Sequence, residues 1–243
     1  MTDSPSHSWE FRDCTTGQHV IDSIGESIKG TPINGPVCTD RGIKLDGLNQ
    51  IVQFDNWTWG GKTSFEIYAK WKSFKSWSNV FDFKVTDDIG NVYLSNYGTM
   101  GGLRGGLRSL SGTNKNNSVY QVLTANEWIH VVITFNKMQH MYINGELRKY
   151  QYQSTAIETL ERNIGTLGLP RIASEGYFDG DIAYFNMWEN KILSGEDVMG
   201  LYNKSILTPS HSWDFRDCIS GQYVMDGIDN TLKASPINNP ICG

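Results

Sequence analysis

Between residues 43 and 182 the chain alternates apolar and polar positions in short runs broken by Gly, Asn, Asp and Ser, the pattern of half-buried strands. The clearest run sends Phe65, Ile67, Ala69 and Trp71 to one side and Glu66, Tyr68, Lys70 and Lys72 to the other. Similar strands are predicted over 79–85, 91–95 and 128–135. In Met141-Tyr-Ile-Asn-Gly-Glu-Leu, Asn144-Gly145 supplies the two positive-φ residues of a type I′ hairpin turn. One short helix is expected over 194–202, capped by Ser194 and burying Val198, Leu201 and Tyr202. Many strands without a long helix predict an all-β fold, a sandwich or a barrel.

An internal repeat organises the chain: His7-Ser-Trp-Glu-Phe-Arg-Asp-Cys14 recurs as His211-Ser-Trp-Asp-Phe-Arg-Asp-Cys218. The register continues without a gap, returning Pro32-Ile33-Asn34 as Pro236-Ile237-Asn238 and Cys38 as Cys242. The offset is a whole domain, so the expected organisation is a module over 1–205, a linker over 206–210 and the start of a second copy over 211–243. The expectation is a piece of a longer tandem array, or a chain that ends in a partial repeat.

Cys14 and Cys38 in the first copy, and Cys218 and Cys242 in the second, are the four cysteines of the chain. Duplicated spacing argues for one disulfide within each copy, with two buried thiols per repeat as the alternative. If the bridges form, the compartment is oxidising: extracellular, cell-surface or virion-surface.

Composition narrows the partners. At 39% hydrophobic and 12% aromatic residues a sizeable core is available, and a net charge of −5 leaves no basic stripe for nucleic acid. The longest apolar run, 128–135, is too short to cross a bilayer, so membrane insertion is not expected. The opening residues are polar and lack an apolar stretch, so a secretion signal is expected to be either absent or outside this sequence.

The run Glu127-Trp-Ile-His-Val-Val-Ile-Thr-Phe-Asn136, followed by Met141-Tyr-Ile-Asn-Gly145, resembles the strand hairpin of laminin-G-like domains in the concanavalin-A-like lectin/glucanase family. Ile43-Lys-Leu-Asp-Gly47 with Ile51-Val-Gln-Phe54 is similar to that family's early strand pair. Tyr177-Phe-Asp-Gly-Asp-Ile182, through Trp188 to Leu193-Ser194 and Leu201-Tyr202, is similar to its closing strand and short helix. Trp9-Glu-Phe-Arg-Asp13 with Val20-Ile-Asp-Ser-Ile-Gly25 matches its opening strand and turn. The resemblance implies a two-sheet antiparallel jelly-roll sandwich of roughly a dozen to fourteen strands. Many relatives carry a calcium-binding acid where this chain has Ala183. A structural calcium on Asp22, Asp179 and Asp181 therefore stays open, beside the plainer reading of turn carboxylates.

Catalysis is not expected. Glucanases of this fold carry close carboxylates on one strand, and no such run occurs here; Asp87-Asp88 and Glu196-Asp197 fall in a turn and a helix start. The Gly-rich run 101–108 lacks the context of a phosphate loop and reads as a mobile loop between strands. Sugar binding uses exposed aromatic faces, which singles out Trp57, Trp59 and Trp77 in loop-like stretches. Trp9, Trp128, Trp188 and Trp213 are assigned to packing. A second candidate surface joins Tyr68, Lys70 and Tyr97 to Arg104 and Arg108 on the polar face of the sheet. The expected function is a non-catalytic surface binding module that recognises carbohydrate for adhesion. The alternatives are a structural or protein-binding module of a surface array and, last, a glycoside hydrolase. The expected partner is a glycan or a surface protein, and residues 211–243 suggest head-to-tail self-association.

Overall fold

The alternation of Phe65, Ile67, Ala69 and Trp71 belongs to one eleven-residue strand, β8 (Thr63–Ser73), at the centre of the first of two stacked sheets. The computed structural model of the chain describes residues 4–25, 27–86, 88–153 and 156–207, together with 224–225 and 233–234. The chain forms two compact units, Met1–Ser205 and Ile206–Gly243.

Sheet 1 runs β15 (Glu146–Tyr152), β14 (Met138–Ile143), β13 (Trp128–Phe135), β8, β18 (Asp179–Glu189), β5 (Gly42–Asp46) and β4 (Val37–Thr39). The first half of β18 pairs with β5 and its second half with β1 (His7–Glu10), and a register shift at Ile182 lies between the two partners. Sheet 2 runs β12 (Asn114–Val119), β11 (Met100–Arg108), β10 (Val92–Tyr97), β9 (Asn79–Lys84), β17 (Ile164–Leu167), β6 (Ile51–Phe54), β3 (Lys29–Ile33) and β2 (Val20–Ile21). A separate pair joins β7 (Trp57–Gly61) to β16 (Ile157–Arg162). Among the described residues the first unit is thus a two-sheet antiparallel sandwich of sixteen strands, with two more in the separate pair, where the resemblance implied a dozen to fourteen.

Between the sheets lie the apolar positions of the alternating runs. Phe65 stacks on Phe83 and Phe185, at centroid distances of 6.1 and 6.0 Å, and Phe81 meets Phe185 at 5.3 Å. Each such ring removes enough apolar surface from water to contribute on the order of 2–3 kcal/mol before the entropy of ordering is subtracted. Asn144 and Gly145 both have positive φ, 50° and 83°, as the β14–β15 turn requires.

Helix α1 (Gly195–Leu207) starts as expected: the Asp197 amide donates to Ser194 Oγ at 3.1 Å, and Asp197 accepts from the Ser194 amide at 3.0 Å. It continues past the predicted end, so positions 206 and 207 are helical rather than linker. Val198 packs with Val132, Tyr142, Trp188 and Leu193 on the outer face of sheet 1. Sheet 1 is therefore covered on both sides at this point.

Two local readings are corrected. Residues 101–108 are no mobile loop but most of β11, and their glycines answer to packing: a Cβ on Gly105 would stand 2.1 Å from Ile133 Cδ1, and one on Gly101 2.5 Å from the Leu123 carbonyl. Residues 57–61 likewise form β7 rather than a loop.

Cys14 and Cys38 are bonded, with their Cα atoms 5.7 Å apart, tying the segment after β1 to β4. Cys218 and Cys242 lie outside the described residues, as do Trp213 and most of 211–243. In the second unit, β19 (Val224–Met225) pairs with β20 (Lys233–Ala234). Its register, Val224 opposite Ala234, reproduces at the repeat offset the pairing of Val20 with Gly30 between β2 and β3. Replacing Cys14 and Cys38 together by serine is expected to lower stability by about 3.5 kcal/mol, the loop-entropy value for a separation of 24 residues. Urea unfolding of the variant beside the oxidised parent measures it, and a midpoint unchanged from the parent refutes it.

Candidate functional site

At one end of sheet 2 three irregular segments converge, and they carry aromatic residues. Trp77 sits in the β8–β9 turn at φ 53°, its amide donating to the Gly98 carbonyl at 2.8 Å. Tyr97 closes β10 beside it, 4.7 Å away and edge-on, and Tyr120, just after β12, meets Tyr97 at 4.9 Å. Tyr120 is 59% exposed, while Trp77 and Tyr97 are half-buried. Gly102 makes this approach feasible, since a Cβ there would stand 3.1 Å from Tyr97 Cβ and 3.4 Å from Tyr120 Cα. The Tyr120 phenol is raised above its ordinary value, first by its hydrogen bond to Tyr97.

Arg104 on β11 reaches back into this cluster. Its guanidinium lies 5.0 Å from the Trp77 ring and 5.3 Å from the ring of Tyr93. Tyr93 is buried, and burial pushes its phenol up to about 12. Strand register places Ser95 and Ser118 on either side of Arg104. Ser95 is buried and donates to the Arg104 carbonyl at 3.5 Å, so the result is an aromatic platform with one cation and the half-buried hydroxyl of Ser118, the group types that a sugar ring and its hydroxyls require.

Arg108 lies on the same face but is engaged by Asp88. Asp88 also accepts from Arg171 at 2.6 Å, and Arg171 in turn holds Glu175 at 2.6 Å. This network holds Arg171, in the connection between β17 and β18, 5.7 Å from the Tyr93 ring.

The other expected members are elsewhere. Tyr68 and Lys70 belong to β8 of sheet 1, so they share no face with Tyr97, Arg104 and Arg108, which belong to sheet 2. There Tyr68 is stacked between Trp128 at 5.0 Å and Tyr184 at 5.8 Å. Lys70 pairs with Asp181 at 2.6 Å, and Arg12, above Tyr184, pairs with Glu10 at 2.5 Å. Trp128 is half-buried on this outer face rather than in the core, because it alternates with the inward residues Ile129, Val131, Ile133 and Phe135.

Trp59 is 1% exposed and cannot offer a face to a ligand. The Arg162 guanidinium covers its ring at 3.9 Å and donates to the Trp59 carbonyl at 2.7 Å. Burial lowers that guanidinium to about 10. Trp57 is half-buried, packs on Trp9 and Trp59, and donates through Nε1 to Glu189 at 3.0 Å. These two tryptophans close an end of the sandwich.

The proposed metal ligands do not meet. Asp22 is fully buried, bound to His7 Nδ1 at 2.7 Å and to the amides of Ser8 and Ile24. His7 pairs with Met187 near the end of β18, whereas Asp179 and Asp181 stand at its start, roughly 20 Å of strand away. Asp179 accepts from Ser73 at 2.6 Å, and Asp181 is neutralised by Lys70. Among the described residues no group of three or more His, Cys, Asp or Glu is placed to hold a metal.

Of the expected ligand residues the structure thus brings together Trp77, Tyr97 and Arg104. Sequence reasoning missed Tyr120 and Tyr93. Tyr93 alternates with Val92 and Leu94, which face the core, so its strand position carried a usable signal. Tyr120 follows the polar strand β12 and carried none.

A laminin G sequence profile, described as concanavalin A-like lectin/glucanases superfamily, matches residues 46–199. No curated protein matches the chain. Among solved structures, the chain is similar to the ligand binding domain of botulinum neurotoxin serotype D in complex with N-acetylneuraminic acid, at TM-score 0.65 and 19% identity over 85% of this chain and 52% of that one. It is similar to the receptor binding domain of botulinum neurotoxin D, at TM-score 0.65 and 19% identity over 85% of this chain and 54% of that one. The binding domain of serotype G matches at TM-score 0.59 and 16% identity, over 84% of this chain and 52% of that one. The chain spans about half the length of these solved chains, and the likeness at this identity is one of fold.

Proposed function

Since the chain belongs to the concanavalin A-like lectin/glucanase superfamily, we propose that it is a carbohydrate-binding module, non-catalytic and displayed outside the cell or on a surface for adhesion. The observation that carries this reading is the convergence of Trp77, Tyr97, Tyr120 and Arg104 at one end of sheet 2. Aromatic faces cover the C–H side of a pyranose at little entropic cost, and nearby polar groups fix its orientation. The disulfide supports an oxidising compartment. Of the carboxylates around Tyr93, Asp88 and Glu175 are both held by Arg171 and Asp82 is fully buried, which supports binding without hydrolysis. The repeated hairpin register in 224–234 supports a tandem architecture, in which weak sites gain by avidity. The same repeat motivates head-to-tail self-association through 211–243.

Trp77→Ala and Tyr120→Ala are each expected to weaken glycan binding about tenfold while leaving the fold intact, the loss of one stacking contact. Glycan-array binding and tryptophan fluorescence titration read this out. Unchanged binding in both variants moves the site elsewhere, and silence of the parent protein removes the carbohydrate reading. A protein partner is the second reading, favoured by Tyr150 and Tyr152, each 63% exposed on the edge strand β15.

A further inference from the structure

We infer that the ligand of the Trp77 platform is an acidic glycan, whose anionic group, a carboxylate or a sulfate, is received by Arg104. This rests on the carbohydrate reading and adds the chemical class. Four cations on the two outer faces lie against aromatic rings, Arg12, Lys70, Arg104 and Arg171, and Arg108 stands beside the last two. Arg12 is matched by Glu10, Lys70 by Asp181, Arg108 by Asp88, and Arg171 by both Asp88 and Glu175. Among the described residues, Arg104 alone of these five has no carboxylate; its guanidinium touches only the rings of Trp77 and Tyr93.

That arrangement prepares an anion site in three ways. The rings hold the guanidinium plane, so little side-chain freedom is left to lose when a partner binds. Half-burial strips part of its water, which strengthens a charge-assisted bond to an incoming oxyanion. The Tyr93 hydroxyl, on the same face, is buried without a partner, so the cluster is polar beyond what the fold itself consumes. Of the carboxylates around Tyr93, Asp88 and Glu175 are occupied by Arg171 and Arg108, and Asp82, opposite Tyr93 in register, is fully buried, with Lys84 at 3.9 Å and Asn91 donating to it. The aromatic residues Trp77, Tyr97 and Tyr120 lie beside the cation, so one sugar residue can stack while its acidic substituent reaches Arg104.

The test titrates the full chain with three tetrasaccharides: one containing uronic acid, its carboxyl-reduced counterpart, and a neutral backbone bearing sulfate. The parent protein is expected to bind an acidic tetrasaccharide about tenfold more tightly than the reduced one, with an advantage that shrinks as salt rises. Arg104→Met is expected to erase the advantage and keep the weaker neutral binding, while Arg104→Lys keeps part of it as a point charge without the fork. Near-ultraviolet circular dichroism confirms that Trp77 stays packed in both variants. A parent that binds acidic and reduced sugars equally overturns this inference and leaves the carbohydrate reading standing. Binding of none of the three overturns both. Preference for the sulfated over the uronate sugar, lost in Arg104→Met, upholds the anion site and assigns sulfate as its source.

Discussion

Replacing Glu66 by alanine is expected to lower the unfolding free energy by about 3–5 kcal/mol, the scale for breaking a buried charged network by removing one partner. Glu66 is 2% exposed, on the face of β8 that α1 covers. It accepts from His130 Nε2 at 2.8 Å, Tyr184 Oη at 3.1 Å and Asn186 Nδ2 at 2.8 Å. Burial, then the negative charge of Glu66, raises the Tyr184 phenol far above its ordinary value, so it remains a donor. Alanine leaves the buried His130 and Tyr184 and the half-buried Asn186 without their acceptor and opens a cavity beneath the helix, whose Tyr202 lies 5.7 Å from His130. Glu66→Gln keeps shape and one acceptor oxygen, and is expected to cost about 1–2 kcal/mol. Lys70→Ala, at a partly exposed pair, is expected to change stability by at most about 1 kcal/mol. Urea unfolding of the three variants orders them; a Glu66→Ala loss no larger than that of Lys70→Ala contradicts the argument.

Glu66 also marks the limit of what periodicity conveys. Alternation correctly divided β8 into Phe65, Ile67, Ala69 and Trp71 inward and Glu66, Tyr68, Lys70 and Lys72 outward. It could not tell that the outward face is solvent at Lys72 but a second core at Glu66, because that depends on where α1 lands after more than a hundred residues. The hairpin at Asn144-Gly145, the Ser194 cap and the Cys14–Cys38 bridge were legible because each is set by local chemistry or by repeated spacing.

The glycine-rich and tryptophan-rich stretches misled for the opposite reason. Glycine at 101, 102, 105 and 106 looks like loop composition, yet at 101 and 105 it answers to the close approach of a carbonyl and a core side chain. Asn56, Gly60 and Gly61 gave the Trp57–Trp59 segment the look of a loop, although a Cβ at Gly60 would stand 2.5 Å from the backbone of Thr159 on the paired strand. For the candidate site, Trp77, Tyr97 and Arg104 were named from residue type, but their meeting depends on a turn, a strand end and a strand interior brought together by sheet 2. The separation of Tyr68 and Lys70 from them was not legible, since alternation says which residues share a strand face and not which strands share a sheet.

Stability is expected to fall as pH rises from about 4 to about 7, and Asp82→Asn to remove most of that decline. Asp82 lies on β9 with no exposed surface, next in register to Tyr93. Burial pushes its carboxyl up to about 7, against the pull of Lys84 at 3.9 Å and of Asn91 Nδ2, which donates to both oxygens at 3.1 and 3.3 Å. The native chain therefore keeps this proton up to about pH 7, while the unfolded chain releases it near pH 4. Between those values the native state binds more protons, so each step upward in pH favours unfolding. Across the window the difference amounts to roughly 4 kcal/mol. His7 acts in the same direction at higher pH. Burial opposes its charge, but hydrogen bonds to Glu189 and Asp22 outweigh this and raise it, so its contribution is complete below about 6.5 and is lost as pH climbs through the folded value. Asp22 and Glu189 are lowered despite burial, and their contributions are lost only as pH falls through their folded values, which places the optimum on the mildly acidic side. Asparagine at 82 carries no proton to release and still accepts from Asn91, so the variant's stability should be nearly flat from pH 4 to 6.5, with the His7 decline remaining above that. Because Lys84 also loses a neighbouring carboxylate, the slope of stability against pH is the decisive readout, measured by urea unfolding at intervals of one pH unit. An Asp82→Asn slope equal to that of the parent shows that Asp82 is ionised throughout and that Lys84 outweighs its burial.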